Sequence, residues 1–172
     1  EAQNFRLQTH YYSLPAEPTI SRLNGFGLWR IQSLINLFLH IYVRTKNLIN
    51  ILRQEPSTKA LIACSGNLSD IPAGFLASKI LKLPFYAYIF DDYVFQWIGG
   101  YRAFAGLIAR VVFKRSAGII GPNEFICEEY QKRYGVQYAL VRNPGESSKL
   151  GQTASFPWPS EQGKIKIVYT GA

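Results

Sequence analysis

KALIACSGNLSDIPAGFLASKILKLPFYAYIFDD, residues 59–92, is the stretch whose reading decides the fold. Residues 59–64 form a short, nearly continuous apolar run, which suits a strand buried on both faces. Residues 65–70 are a polar loop. Residues 71–81 read as a helix, with Asp70 placed to cap it and Pro72 in the first turn, where its missing N–H costs nothing. A second apolar strand, 83–90, follows and stops at the acidic pair Asp91 and Asp92.

Working outward, the same beat repeats. Toward the C-terminus come a helix over 101–116, a buried strand over 117–120, a helix over 124–134 closed by Gly135, and a strand over 136–141 before the turn Asn143-Pro144-Gly145. Strands alternating with helices in this way predict an α/β fold: a Rossmann-like parallel sheet with helices on both faces. Toward the N-terminus, 27–54 carries a long helical pattern ended by Pro56, 13–24 is a loop, and 5–11 alternate as a strand. Residues 147–163 are polar and aperiodic, and 164–172 begin a fresh strand ending in Thr170-Gly171. The expected organisation is a partial first domain over 1–146, a linker over 147–163 and the first strand of a second domain over 164–172. The chain opens on Glu1 and holds no methionine, which reads as a piece cut from a longer protein.

Composition narrows the function classes. With 48% hydrophobic and 17% charged residues the chain is globular rather than disordered. Its net charge of +8 favours phosphorylated ligands, anionic membranes or nucleic acid without choosing among them. The basic residues are spread along the chain with no nucleic-acid recognition motif, so nucleic acid is not an expected partner. Cys64 and Cys127 lie far apart, with only His10 and His40 as further soft ligands, so no zinc site is expected and both thiols read as buried. No apolar run reaches the roughly 20 residues that a membrane-spanning helix needs.

In open parallel sheets ligands bind beyond the carboxyl ends of the strands. Four polar loops stand there: Ser65-Gly66-Asn67, Asp91-Asp92-Tyr93, Gly121-Pro122-Asn123-Glu124 and Arg142-Asn143-Pro144-Gly145. Each could equally serve as a helix cap, Asn123 above all. The acidic pair is the most informative, because two adjacent carboxylates after a buried strand repel and at least one needs a donor, a cation or water. It reads as an acceptor of sugar hydroxyl protons, a general base or a metal ligand, or else as a solvated loop with Asp92 forming the turn. No glycine-rich nucleotide fingerprint or phosphate loop is present.

The helix at 27–54 has its main apolar stripe at Ile31, Leu34, Ile35, Phe38, Ile41, Tyr42, Leu48, Ile49 and Leu52. That stripe is expected to face the fold. Trp29, Leu37, Leu39 and Val43 lie off it, interleaved with Arg30, Arg44, Lys46 and Arg53. Basic residues with extra apolar bulk also suit a helix lying in a membrane interface, so a peripheral membrane contact through 27–54 is the alternative.

Taken in order, these segments resemble the glycosyltransferase family 4 group of GT-B enzymes. The resemblance rests on ALIACSGN at 60–67, the helix and strand of 71–92, RSAGIIGPNE at 115–124, KRYG at 132–135, ALVRNPG at 139–145 and IVYTG at 167–171. It covers about residues 57–171, and the series rather than any one piece is specific. The family's opening strand with its glycine-rich loop, and its Glu-x7-Glu donor motif, have no counterpart in this sequence. Many members carry a His at the strand end where this chain has Phe90-Asp91-Asp92.

The resemblance implies a hexosyltransferase-like enzyme that moves a sugar from a nucleotide-sugar donor to a glycan, lipid or small-molecule acceptor in the cytoplasm. It implies retention, no metal and no cofactor beyond the nucleotide-sugar co-substrate. Asp91 and Asp92 would contact sugar or acceptor hydroxyls, and Ser65, Gly66, Asn67, Tyr93, Asn123 and Glu124 would line the acceptor side. Asn143, Thr170 and Gly171 would approach the donor, with the isolated chain inactive. The alternative is a non-catalytic Rossmann-like module for an anionic ligand or a membrane surface.

Overall fold

The computed structural model describes residues 12–21 and 28–142. All of these belong to the first of two compact units, Glu1–Arg142 and Asn143–Ala172. The expected strand at 5–11, the linker at 147–163, the strand at 164–172, and with them Asn143, Thr170 and Gly171, lie outside the described residues.

The element order is α1 (Trp29–Gln54), β1 (Leu61–Cys64), α2 (Asp70–Leu81), β2 (Phe85–Tyr88), α3 (Gly99–Val112), a single tighter turn at Phe113–Arg115, β3 (Gly118–Gly121), α4 (Glu124–Tyr134) and β4 (Tyr138–Leu140). The four strands form one sheet in the order β1-β2-β3-β4, every pair parallel. The predicted α/β class and parallel sheet are therefore present. Leu61 pairs with Phe85, Ala87 with Ile119, and Ile119 with Tyr138, which puts these residues on one face.

That face carries the core. Right-handed crossovers that all step in one direction deliver their helices to the same side. Accordingly, a Cβ on Gly74 of α2 would stand 2.9 Å from the Cβ of Ala63 and 3.1 Å from Leu61 and Phe85. On β3, a Cβ on Gly121 would stand 2.5 Å from the Cys127 sulfur of α4. The opposite face shows Ile62, Cys64 and Phe90 to solvent. Cys64 is thus exposed, not buried as its apolar surroundings suggested, because its strand position points away from the helices.

Gly121 allows a prediction. Adding a methyl there forces α4 away from β3, so Gly121→Ala should cost about 1–3 kcal/mol in urea unfolding. Removing the obstructing sulfur with Cys127→Ala in the same chain should recover part of that loss. Equal losses with and without Cys127→Ala would show that the close approach is not the cause.

α1 departs from its sequence reading. Gln32, Leu37, Ile41 and Thr45 form its buried line, while Ile31, Leu34, Ile35, Phe38 and Tyr42 are exposed. Buried and exposed residues share the same turns, so α2 covers one side of α1, the side on which Thr45 meets the Ala73 carbonyl at 3.4 Å. Farther along, Leu48, Ile49 and Leu52 pack against the core and are partly buried. Thr45 tolerates burial because its hydroxyl donates to the Ile41 carbonyl at 2.7 Å.

Candidate functional site

The loops after β1, β2 and β3 sit side by side because those strands are neighbours. Ser65 ties the first two together. Its hydroxyl accepts the Phe90 N–H at 2.9 Å, and its carbonyl accepts from the Gln96 amide at 3.0 Å. With only 1% of its surface exposed, Ser65 holds the loops in place and does not meet an acceptor. Gly66 is exposed, with open space where a side chain would stand. Asn67 is exposed too, and its side-chain oxygen accepts the Ser69 N–H at 3.2 Å and the Ser69 hydroxyl at 3.1 Å. The N-cap position of α2 is Ser69 rather than Asp70, whose carboxylate pairs with Arg44 of α1.

After β2 the two acids separate in role. Asp92 accepts the N–H groups of Val94 at 2.9 Å and Phe95 at 3.0 Å with one oxygen, and meets Arg133 of α4 at 2.8 Å with the other. It is the turn former, and Arg133 supplies the cation that the pair requires. Asp91 is exposed and has no hydrogen-bond or ion-pair partner among the described residues. The carboxylate free to meet a ligand is Asp91.

Tyr93 is fully buried. Its N–H donates to the Tyr130 hydroxyl and its own hydroxyl donates to the Leu68 carbonyl, both at 2.8 Å. It therefore anchors the loop from below and cannot contact an acceptor, contrary to its sequence assignment. Beneath it, Phe113 meets Tyr93, Tyr130 and Tyr134 with ring centroids 5.8, 5.3 and 5.3 Å away. Burial pushes the Tyr93 and Tyr130 phenols well above the usual value of 10.0, since removing the hydroxyl proton would leave an unsolvated anion. Raised folded values mean that stability is complete below the unfolded value and falls as pH climbs beyond it. Stability should therefore start to decline above pH 10. Tyr93→Phe should flatten that decline in a pH series of urea midpoints.

After β3, Asn123 caps α4 by accepting the Ile126 N–H at 2.9 Å. Glu124 beside it is 54% exposed and pairs with Arg142 beyond β4. Its own backbone N–H and the Arg142 guanidinium hold its carboxyl below the usual carboxylate range, so it accepts protons poorly near neutrality. Gly135 closes α4 in the left-handed conformation at φ 65°, as the sequence predicts.

Sequence reading missed the aromatic and guanidinium cluster beside the acidic loop. Phe95, 54% exposed, lies under the guanidinium groups of Arg102 at 4.2 Å and Arg133 at 5.0 Å. Arg133 is shared between Asp92 and Glu129, while Arg102 has no carboxylate partner among the described residues. The four-residue spacing of Glu129 and Arg133 was a readable signal for one of these. Nothing in the sequence announced Arg102. Among the described residues, no cluster of His, Cys, Asp or Glu could hold a metal ion.

Fold and site together define an open parallel α/β domain with a polar rim at the carboxyl ends of its strands. No protein-family model, curated protein or solved structure matches the chain.

Proposed function

We propose that this chain is the acceptor-side half of a GT-B-type glycosyltransferase, working in the cytoplasm on a nucleotide-sugar donor. The single observation that carries the reading is Asp91: an exposed, unpartnered carboxylate at the end of a central strand, on a loop fixed by Ser65 and Tyr93. A carboxylate held this way accepts hydrogen bonds from sugar hydroxyls and positions them. Asn67 and Asn123 offer amide groups on the two neighbouring loops. Asp92 serves by holding Asp91 in place, and the transfer is retaining and metal-independent, as the family resemblance implies.

Transfer from a panel of nucleotide-sugars, assayed with the uninterrupted reading frame that contains this chain, tests the reading. Release of nucleotide coupled to a glycosylated product supports it. A frame that lacks a donor-binding half and transfers nothing would sink it. One observation favours a second reading, a non-catalytic module for an anionic ligand: the unpaired Arg102 guanidinium over Phe95. In that case Arg102→Gln would weaken ligand binding while Asp91→Asn would leave it unchanged.

A further inference from the structure

We infer that the outer side of α1, with the flanks of α2 and α3, is a docking surface for an anionic lipid bilayer. Ile31, Leu34, Ile35, Phe38 and Tyr42 recur at helical spacing on α1 and are 40–64% exposed. The stripe continues laterally. Phe38 and Tyr42 line a groove with Leu76 and Ile80 of α2, which Lys46 and Arg53 also border. Phe38 also meets Phe104 of α3 edge-on at 5.6 Å, and the exposed Leu107 and Val111 follow one and two turns along that helix. The result is a broad apolar surface rather than scattered single residues.

Charge identifies the occupant. Residues 28–54 carry Arg30, Arg44, Lys46 and Arg53 and no carboxylate. Residues 99–115 carry Arg102, Arg110, Lys114 and Arg115, again with no carboxylate. Arg44 is taken up by Asp70 of α2 and by Glu17, which leaves Arg30, Lys46 and Arg53 as the cations of α1 without a carboxylate partner among the described residues. By contrast, α4 sets Glu124, Glu128 and Glu129 against Lys132 and Arg133 and has no excess of cations. The molecule is thus electrically polarised, with its excess of cations on the same helices that expose the apolar side chains. Apolar side chains that enter the acyl boundary while Lys and Arg meet anionic headgroups describe an interfacial helix. No helix among the described residues is long and apolar enough to cross a membrane, so α1 would lie along the surface. A second copy fits poorly, because pairing this face with itself sets cations against cations. The inference stands apart from the transferase reading and needs no sugar donor to test.

Flotation of the 172-residue chain with vesicles of phosphatidylcholine alone, or of equal parts phosphatidylcholine and phosphatidylglycerol, decides it. Binding should appear with the anionic vesicles only and weaken as salt is raised. Lys46→Glu with Arg53→Glu should lower binding at least roughly tenfold. Both side chains are exposed or at the groove rim, so the fold should survive, which circular dichroism checks. Phe38→Ser should also lower binding, and Lys132→Glu on α4 should not. Absence of flotation, equal binding to neutral vesicles, or equal losses from Lys132→Glu would each overturn the proposal. So would a stable dimer in sedimentation that excludes vesicles.

Discussion

Phe113→Ala should destabilise the fold by about 3–5 kcal/mol, the largest loss expected from any single truncation near the site. The ring is fully buried and touches three tyrosine rings at once. Truncation forfeits its burial and leaves a cavity that Tyr93, Tyr130 and Tyr134 cannot close, because Tyr93 and Tyr130 are tied by hydrogen bonds to fixed backbone groups. Aromatic contacts of this kind add about 0.5–1.5 kcal/mol beyond burial. In a chain of this size the melting temperature should drop on the order of 10 °C. Phe95→Ala is the matched control, since that ring is half exposed and its loss should cost under about 1 kcal/mol. A Phe113→Ala loss no larger than the control would mean that the loop after β2 does not rest on this cluster.

Asp91→Asn and Asp92→Asn should split cleanly between activity and stability. In the intact enzyme, Asp91→Asn should lower kcat/KM by roughly 10- to 100-fold, the worth of one charge-assisted hydrogen bond to substrate. Stability should stay within about 0.5 kcal/mol, because no partner is lost. Asp92→Asn keeps an oxygen for the Val94 and Phe95 N–H groups but surrenders its charge against Arg133. That pair is about a quarter exposed on the Asp side, so screening limits the loss to about 1 kcal/mol. Activity should fall only as the loop loosens. Should the two variants exchange these signatures, Asp92 and not Asp91 would be the ligand-facing acid.

These residues also show what a sequence can carry. The strands and crossovers were legible because fully buried strands are unbroken apolar runs and helices between them need caps and small residues. The rim was legible because carboxyl-end loops in such sheets are polar. The side of each residue was not. Tyr93 stands next to two acids in sequence, yet the turn that Asp92 forms sends it downward into the core. Cys64 ends a run of apolar residues, yet alternation points it to the open face. On α1 the periodicity was real, but apolar residues lie on more than one side of the helix, and which side is buried depends on where α2 packs, which no local pattern records. Arg102 and Arg133 converge on Phe95 from different helices, an encounter between distant segments that only the packed structure shows.

The strand order has a consequence for how the molecule is made. Each strand pairs with the one synthesised just before it, so every new strand–helix unit meets a template already standing. Closing a crossover between sequential neighbours costs less entropy than pairing strands farther apart in the chain, and domains begin to form as the chain emerges. Among the described residues β1 is then the first strand laid and β4, exposed at all three residues, the last. A truncation after α4 would leave a shorter sheet whose remaining pairs are intact. A lesion in β1 would deprive β2 of the neighbour it pairs with.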